Sequence, residues 1–278
     1  MNSCTVAALQ MVSGRDLQTN LLQAERLINE AVAEGARLLV LPETFAVFGG
    51  GNQRQRGEAE STAAGPIRQF LAQQAAKHQI WLVGGTLPTT AADSRGQPPE
   101  QDKVFTSTYV YNAAGEEVGR YDKVHLFDVD VADGQGQYRE SDQFSPGDKP
   151  LLVETPWGKL GVGVCYDLRF PEFFRQLRDQ GAEILAIPAA FTYQTGQAHW
   201  EVLLRSRAIE NQCYVIGANQ GGEHSAKRKT WGDSCVISPW GEKLKALAQG
   251  EGIVSAELDF DQLHKIRRDM PVQSHRKL

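Results

Sequence analysis

Short runs of aliphatic residues alternate along the chain with longer segments in which apolar residues recur every three or four positions. The short runs predict buried strands at 5–10, 38–41, 80–84, 160–164, 184–187 and 214–220. The periodic segments predict helices at 16–35, 65–75, 171–180 and 199–212. Antiparallel strand pairs are expected around turns at 112–115 and 156–158. Together these elements predict an α/β fold whose helices lie outside a two-sheet core.

Three stretches show no such periodicity. The polar segment 49–62 and the segment 91–102 are predicted to be exposed loops. The segment 127–147 contains Gly134, Gly136 and Pro146 and is predicted to be a long irregular loop. Loops of that length in compact domains are commonly functional, so we expect this one to close over a substrate.

Composition narrows the class of protein. The chain has 278 residues, of which 41% are apolar, and we expect residues 1–278 to form a single domain. The net charge of -5 comes from 34 acidic and 29 basic residues without a block of like charge, which argues against nucleic acid or an anionic membrane as a partner. Because Met1 to Thr5 carry no basic leader and no apolar run approaches about 18 residues, we expect a soluble, cytoplasmic protein.

The cysteines indicate a reduced protein. The four of them include no Cys-x-x-Cys pair, and no closely spaced histidines accompany them. This pattern predicts neither disulfides nor a zinc site, and we expect no metal and no cofactor. Three are expected to be core residues, namely Cys4, Cys213 and Cys235.

Polar groups follow the predicted strands at their carboxyl ends, where α/β sheets bind ligands. Glu43 comes directly after four aliphatic residues, and because burying an idle carboxylate is costly, a functional role is favoured. Cys165 ends the run 160–164, and Pro171 then starts a helix that is expected to bring backbone N–H groups near the sulfur and to favour the thiolate. Cys165 is therefore a candidate nucleophile, with an inert core cysteine as the alternative.

Other interpretations remain open at this point. His125 and His199 are alternative bases for Cys165, although no carboxylate that would orient either of them is evident. A serine hydrolase lacks its Gly-x-Ser-x-Gly motif, and a non-catalytic nucleotide-binding module would rest on Gly161-Val162-Gly163, which lacks the third glycine. The remaining histidines are expected at the surface, namely His78, His224, His264 and His275.

Three motifs together resemble the signatures of the nitrilase superfamily of carbon–nitrogen hydrolases. They are Pro42-Glu43-Thr44-Phe45, Tyr121-Asp122-Lys123-Val124-His125-Leu126 and Val164-Cys165-Tyr166-Asp167-Leu168-Arg169-Phe170-Pro171-Glu172. The resemblance covers nearly the whole chain and implies a four-layer αββα sandwich that pairs into a homodimer. It also implies a triad of Glu43, Lys123 and Cys165, with Glu140 as a second, supporting glutamate.

The chemistry of these side chains agrees with hydrolysis of a small amide. Glu43 within reach of Cys165 would take the thiol proton as general base, and the sulfur would attack the carbonyl carbon to form a thioester. Lys123 and the backbone N–H of Tyr166 would stabilise the oxyanion. Glu140 would hold Lys123 in place, and water activated by Glu43 would release the acid.

The segment 199–215 resembles the Nit branch of the superfamily and, within it, the amidases of deaminated glutathione. This resemblance implies release of 2-oxoglutarate and cysteinylglycine, and the alternatives are an ω-amidase of 2-oxoglutaramate or another small-amide or N-carbamoyl hydrolase. Both keto acids need a cation near the acyl group, for which Arg169 is the candidate, unless it forms an ion pair with Glu172 or Asp167. Thr192 and Tyr193 are expected to hydrogen-bond the same end of the substrate.

Overall fold

The structure is a computed structural model that describes residues 3–277. Met1, Asn2 and Leu278 lie outside this range. The prediction that Met1 to Thr5 carry no basic leader therefore falls partly outside the described residues. In chain order the strands are β1 (Ser3–Gln10), β2 (Leu38–Val40), β3 (Trp81–Val83), β4 (Leu87–Thr89), β5 (Phe105–Tyr111), β6 (Glu117–Asp122), β7 (Asp128–Asp130), β8 (Gln137–Arg139), β9 (Leu151–Thr155), β10 (Gly158–Val162), β11 (Ile184–Ala189), β12 (Tyr214–Asn219), β13 (Ser234–Ile237), β14 (Lys243–Leu247) and β15 (Gly252–Asp259). The α-helices are α1 (Leu17–Ala33), α2 (Gln53–Ala59), α3 (Pro66–His78), α4 (Pro171–Asp179), α5 (Tyr193–Asn211), α6 (Phe260–Asp269) and α7 (Val272–His275). Short 3-10 helices span Glu140–Asp142 and Cys165–Arg169.

Two mixed sheets share one design, with three parallel strands in the middle and antiparallel strands toward the edges. The first sheet has the order β15-β1-β2-β3-β5-β4, with β6 also paired to β5, and its parallel strands are β1, β2 and β3. The second has the order β14-β13-β12-β11-β10-β9, and its parallel strands are β10, β11 and β12. Strands β7 and β8 form a separate hairpin.

The sheets lie face to face and each carries helices on its outer face. Helices α1 and α3 cover the first sheet, where Ile28 and Leu71 join Leu39 in one apolar cluster. A second apolar cluster fills the space between the sheets and continues under α4 and α5. It contains Val40 of the first sheet, Ile216 of the second sheet and Leu204 of α5. The predicted four-layer αββα sandwich is confirmed. Within residues 3–277 no helix has the length and apolar character needed to cross a membrane.

Glycines in β10 and directly after it let α4 approach the sheet closely, as the glycine-interrupted run 160–164 indicated. A Cβ atom on Gly163 would lie 2.9 Å from Cζ of Phe174, and one on Gly161 would lie 3.0 Å from Cδ1 of Leu177. Both partners are buried side chains of α4. The close packing places the start of α4 directly behind the turn that follows β10.

Three predicted elements differ in the structure. The segment 49–62 was predicted as a loop but contains α2. Asn52 caps this helix by accepting a hydrogen bond from the Gln55 N–H at 3.2 Å. The only buried residue of α2 is Gly57, so the helix has no apolar face that a periodicity could reveal. The segment 127–147 is not irregular, because it holds the β7–β8 hairpin, whose strands bury only Tyr138. That the hairpin closes over a substrate stays a prediction.

Helix α5 begins at Tyr193 and not at His199, because Thr192 caps it by accepting a hydrogen bond from the backbone N–H of Thr195. Its first turn contains Gly196, which packs against the Trp231 side chain and leaves no apolar residue for a periodicity to reveal. The earlier start brings the amino end of α5 to the carboxyl edge of β11.

The close approach of α4 to Gly163 leads to a prediction about the free energy of unfolding. We expect Gly163→Ala to lower the free energy of unfolding by about 1–3 kcal/mol, because the added methyl group meets the rigid Phe174 ring. Gly14→Ala is the matched control, since no atom lies within 4 Å of a Cβ at that position. Urea unfolding of the two variants measures the difference, and equal losses would contradict the packing argument.

Candidate active site

Four functional side chains predicted from the sequence meet in one cavity of about 420 Å³. Glu43 follows β2, Lys123 follows β6, Glu140 follows β8, and Cys165 follows β10, so both sheets and the β7–β8 hairpin contribute. Parallel strands from the two sheets thus deliver their carboxyl ends to the same place, as expected for ligand sites in α/β proteins.

The ammonium group of Lys123 is buried between two carboxylates. Its Nζ lies 2.9 Å from Oε1 of Glu43 and 3.1 and 2.9 Å from the two carboxylate oxygens of Glu140. The backbone N–H of Phe127 also donates to Glu140 Oε2, at 2.7 Å. Burial opposes the charge of Lys123, but Glu140 and Glu43 more than offset it and raise the pKa of the ammonium well above its usual value. Lys123, only 2% exposed, is therefore a fixed positive charge in a nearly dry site.

Cys165 occupies a strained position at the start of its 3-10 turn. Its φ of 48° lies in the left-handed region, which costs a residue with a side chain on the order of 1–3 kcal/mol. Thr44, directly after Glu43, has a φ of 55° and is held by a hydrogen bond from its N–H to Oγ1 of Thr86 at 2.9 Å. Such strain recurs where a strand must turn sharply to present a side chain, and here both turns face the same cavity.

Asp167 holds the turn of Cys165 against the segment that carries Lys123. Its fully buried carboxylate accepts hydrogen bonds from the Tyr121 hydroxyl at 2.6 Å, from the Val164 N–H at 2.7 Å and from the His125 N–H at 3.2 Å. Nδ1 of His125 lies 2.7 Å from the same carboxylate. Asp167 therefore connects the segment that carries Cys165 to the segment that carries Lys123.

These contacts correct one premise about the histidines. His125 does have an orienting carboxylate, Asp167, but its ring stacks on Phe170 with centroids 3.7 Å apart and does not line the cavity. His199 also lies outside the lining and contacts Arg169 through Nδ1 at 3.2 Å. The carboxylate of Glu43, in contrast, lies close enough to hydrogen-bond the Cys165 thiol. The geometry thus favours a glutamate partner for the cysteine over a histidine.

The prediction that helix N–H groups favour a thiolate is wrong. A complete 3-10 turn separates Cys165 from the start of α4, and the amide that contacts the sulfur is the N–H of Ala190. Burial and the Glu43 carboxylate raise the pKa of the Cys165 thiol well above its usual value, while Lys123 and the Ala190 N–H oppose this only in part. The resting cysteine is a thiol whose proton faces a carboxylate.

Three of the four residues predicted to bind substrate line the cavity, namely Tyr166, Arg169 and Thr192. Tyr193 does not, because it is the first residue of α5 and its ring packs against Trp231, with centroids 5.1 Å apart, and beneath the Lys229 ammonium. Within residues 3–277 Arg169 has no carboxylate partner, so the alternative ion pair with Glu172 or Asp167 is not formed.

A second wall of the cavity, which was not predicted from the sequence, includes Phe48, His224 and Arg228. His224 was expected at the surface, but its ring stacks on Phe48 with centroids 3.7 Å apart. Its Nδ1 and Nε2 each lie 2.8 Å from an oxygen, of Ser13 and Thr230. Burial lowers the pKa of His224 to about 4, so it is neutral at pH 7. No periodicity marks the loop 221–233 that carries these residues, so the pattern offers no signal for them.

Comparison with known proteins agrees with this geometry. Residues 5–268 match the family described as carbon-nitrogen hydrolase. The chain belongs to the carbon–nitrogen hydrolase family. It is a hydrolase of carbon–nitrogen bonds, and the predicted family and reaction class are confirmed.

Sequence identity to individual relatives shows which members of the family this chain resembles. A deaminated glutathione amidase of Yersinia enterocolitica is 41% identical over all of this chain and 94% of its own length. An omega-amidase, NIT2, of Danio rerio is 35% identical over all of this chain and 96% of its own. The crystal structure of the C. elegans NitFhit protein superposes with a TM-score of 0.86 at 35% identity; the match covers 99% of this chain and 65% of that one. The predicted resemblance to the Nit branch is confirmed.

The electrostatics of the thiol can be tested by alkylation. We expect iodoacetamide to modify Cys165 first in the native protein, because Cys165 lines the cavity, whereas Cys4, Cys213 and Cys235 are buried away from it. Glu43→Gln should shift the pH profile of Cys165 alkylation to lower pH, since it removes a negative charge that raises the pKa of the thiol.

Lys123→Met should move the same profile to higher pH, because the ammonium lowers the thiol pKa. Exposed Glu58→Gln is the control and should leave the profile in place. Peptide mass spectrometry at a series of pH values gives the rates. A shift of Glu43→Gln to higher pH would contradict the assigned influence of the carboxylate.

Proposed function

We propose that this hydrolase cleaves the amide of deaminated glutathione, releasing 2-oxoglutarate and cysteinylglycine. The observation that carries the proposal is a cavity that joins the Glu43, Lys123 and Cys165 cluster to arginines without carboxylate partners among residues 3–277, among them Arg169 and Arg228. The chain as a whole has a net charge of -5, so these guanidiniums form a local excess of positive charge. A substrate with a carboxylate on each side of the scissile amide matches that arrangement.

We propose the following roles for the clustered residues. Glu43 takes the thiol proton as the Cys165 sulfur bonds to the carbonyl carbon. The resulting oxyanion is stabilised by the Lys123 ammonium and the N–H of Tyr166, and loss of one such donor typically costs about 3 kcal/mol. Glu43 then gives its proton to the leaving amine, and a thioester remains on Cys165. Water deprotonated by Glu43 hydrolyses that thioester and restores the thiol.

Glu140 acts through Lys123. Its two oxygens hold Nζ from the side opposite to Glu43, and the Phe127 N–H fixes the carboxylate in turn. With Lys123 so constrained, its charge is in place before the oxyanion forms, which is the condition under which such groups contribute most.

The acyl group is proposed to bind at Arg169 and Thr192. Arg169 extends over the ring of Phe191, with 5.5 Å between the guanidinium carbon and the ring centroid, and its remaining N–H groups face the cavity. It would pair with the α-keto carboxylate. This part is common to deaminated glutathione and 2-oxoglutaramate, so an ω-amidase activity is the second candidate, and the resemblance to the omega-amidase relative supports it.

The size of the cavity favours the larger substrate. A volume of about 420 Å³ falls in the range of pockets that enclose drug-sized ligands. Because 2-oxoglutaramate has about half as many non-hydrogen atoms as deaminated glutathione, much of the cavity would stay filled with water around it.

We further propose that the protein is cytoplasmic and forms a homodimer. The cytoplasmic location is proposed because four unpaired cysteines are typical of a reducing compartment. The homodimer is proposed because α5 exposes the apolar side chains of Val202 and Ile209.

The catalytic roles make a prediction about combined variants. Cys165→Ala should show no turnover above background, and Glu43→Gln and Lys123→Met should each be nearly inactive. The Glu43→Gln/Lys123→Met double variant should be hardly worse than either single one, because groups that act as a unit are non-additive. Steady-state kinetics test this, and multiplicative losses would argue against a shared mechanism.

Melting curves must accompany these assays. Lys123→Met leaves two carboxylates facing each other in a buried site, which is expected to cost about 3–5 kcal/mol of stability.

The substrate proposal is tested by assays of the pure protein on four compounds. We expect kcat/KM for deaminated glutathione to exceed that for 2-oxoglutaramate by at least about tenfold, or roughly 1.4 kcal/mol, because binding of the dipeptide helps to position the amide. An aliphatic nitrile and an N-carbamoyl compound complete the set. A preference for either of these two would contradict the proposal.

A further inference from the structure

Arg228 presents a guanidinium to the cavity with part of its donor capacity unused. Nη1 donates to the Tyr138 hydroxyl at 2.7 Å, and Nη2 donates to the Ala190 carbonyl oxygen at 3.0 Å. A guanidinium has further N–H groups in the same plane, and for Arg228 these have no acceptor among residues 3–277. The planar fork of an arginine matches the two oxygens of a carboxylate.

Arg228 is linked to the proposed nucleophile through one intervening residue, Ala190. The N–H of Ala190 contacts the Cys165 sulfur, and the carbonyl group of the same residue accepts the hydrogen bond from Arg228. One residue therefore connects the reacting atom to the guanidinium. The rings of Tyr138 and Phe48 flank it, with centroids 4.8 and 5.6 Å from the guanidinium carbon, and they shield one part of the half-buried guanidinium from solvent. An ion pair formed there is stronger than one in open solvent.

Several cations line the cavity, and two of them, Arg169 and Arg228, lie on separate walls. Arg169 belongs to the turn after β10, while Arg228 belongs to the loop 221–233, and each packs over its own pair of aromatic rings. If Arg169 takes the carboxylate of the acyl group, as proposed above, Arg228 is left without an anion. Deaminated glutathione supplies one, since its leaving dipeptide ends in the carboxylate of glycine.

We propose that Arg228 binds the carboxylate of the leaving amine and sets the preference for amides whose leaving group ends in a carboxylate. This assignment rests on the proposed function. A purely mechanical role is the competing explanation, because the Tyr138 hydroxyl also donates to Oδ2 of Asp133 at 2.7 Å, so Arg228 links the loop 221–233 to the β7–β8 hairpin. A mechanical link affects every substrate alike, whereas a carboxylate anchor acts only on substrates that carry the carboxylate.

The decisive measurement is the ratio of kcat/KM for deaminated glutathione to that for 2-oxoglutaramate. We expect Arg228→Met to lower this ratio by at least about tenfold, mainly through a higher KM for deaminated glutathione. Arg228→Lys should give an intermediate ratio, because it keeps the charge but loses the two-pronged geometry. Lys229→Met is the matched control, since it removes a neighbouring charge that does not line the cavity, and it should leave the ratio unchanged.

A change in the substrate tests the same contact without any variant. Deaminated glutathione with its terminal carboxylate converted to a carboxamide should lose at least about tenfold in kcat/KM with the wild-type protein. Arg228→Met should not distinguish the acid from the carboxamide. This second measurement keeps the test valid if the variants prove unstable.

The outcomes separate the two proposals. If the wild type prefers deaminated glutathione but Arg228→Met weakens both amides equally, or if the carboxamide is hydrolysed as well as the acid, the assignment of Arg228 is overturned and the proposed function stands. If the wild type hydrolyses neither amide, the proposed function is overturned and the assignment falls with it.

Discussion

One buried ammonium group, Nζ of Lys123, joins three segments that lie far apart in the chain. Glu43 after β2 and Glu140 after β8 both contact it within 3.1 Å, and each carboxylate would be an uncompensated buried charge without it. Removing one member of such a cluster typically costs about 3–5 kcal/mol. The position of the β7–β8 hairpin over the cavity therefore depends on the same ion cluster that we propose carries the reaction. Structural and chemical roles cannot be separated at Lys123, which is why variants there need a stability measurement beside the assay.

The seam between the two sheets supplies the rest of the site's rigidity. Gln220, at the end of β12, donates to the Glu43 carbonyl and to the Ser13 hydroxyl, while Met11 and Gln220 form a bridge between the sheets. Asp167 adds a second connection, between the Cys165 turn and the segment after β6. The segments that carry Glu43, Lys123 and Cys165 are thus each held by a contact with the opposite sheet, so the two sheets must be correctly packed before the site exists.

The sequence pattern was sufficient for groups that follow directly on apolar runs. Glu43 and Cys165 stand out because a charged or reactive residue after a buried strand is unusual, and strand ends meet at one edge. Lys123 and Glu140 carry no such mark, and only the family resemblance indicated them. Arg228 and His224 were missed because a loop without periodicity places them, and Tyr193 was wrongly assigned because Thr192 starts α5 earlier than the apolar pattern indicates. Side chains positioned by tertiary contacts leave no local signal, so the pattern indicated side chains at the ends of strands better than those on the loops around the cavity.

The side chains that line the cavity carry a net charge opposite in sign to that of the whole chain. A chain with a net charge of -5 repels a doubly anionic substrate at long range, yet at physiological ionic strength that repulsion is screened over about 8 Å. Inside the cavity the local charges dominate, because they lie closest to a bound substrate and the guanidiniums of Arg169 and Arg228 have no carboxylate partner among residues 3–277. The thiol shows the effect of local charge with the opposite sign: burial and the Glu43 carboxylate both raise the pKa of Cys165. In the mechanism that we propose, the same cavity thus combines cations that bind an anionic substrate with a carboxylate that accepts the proton of the nucleophile.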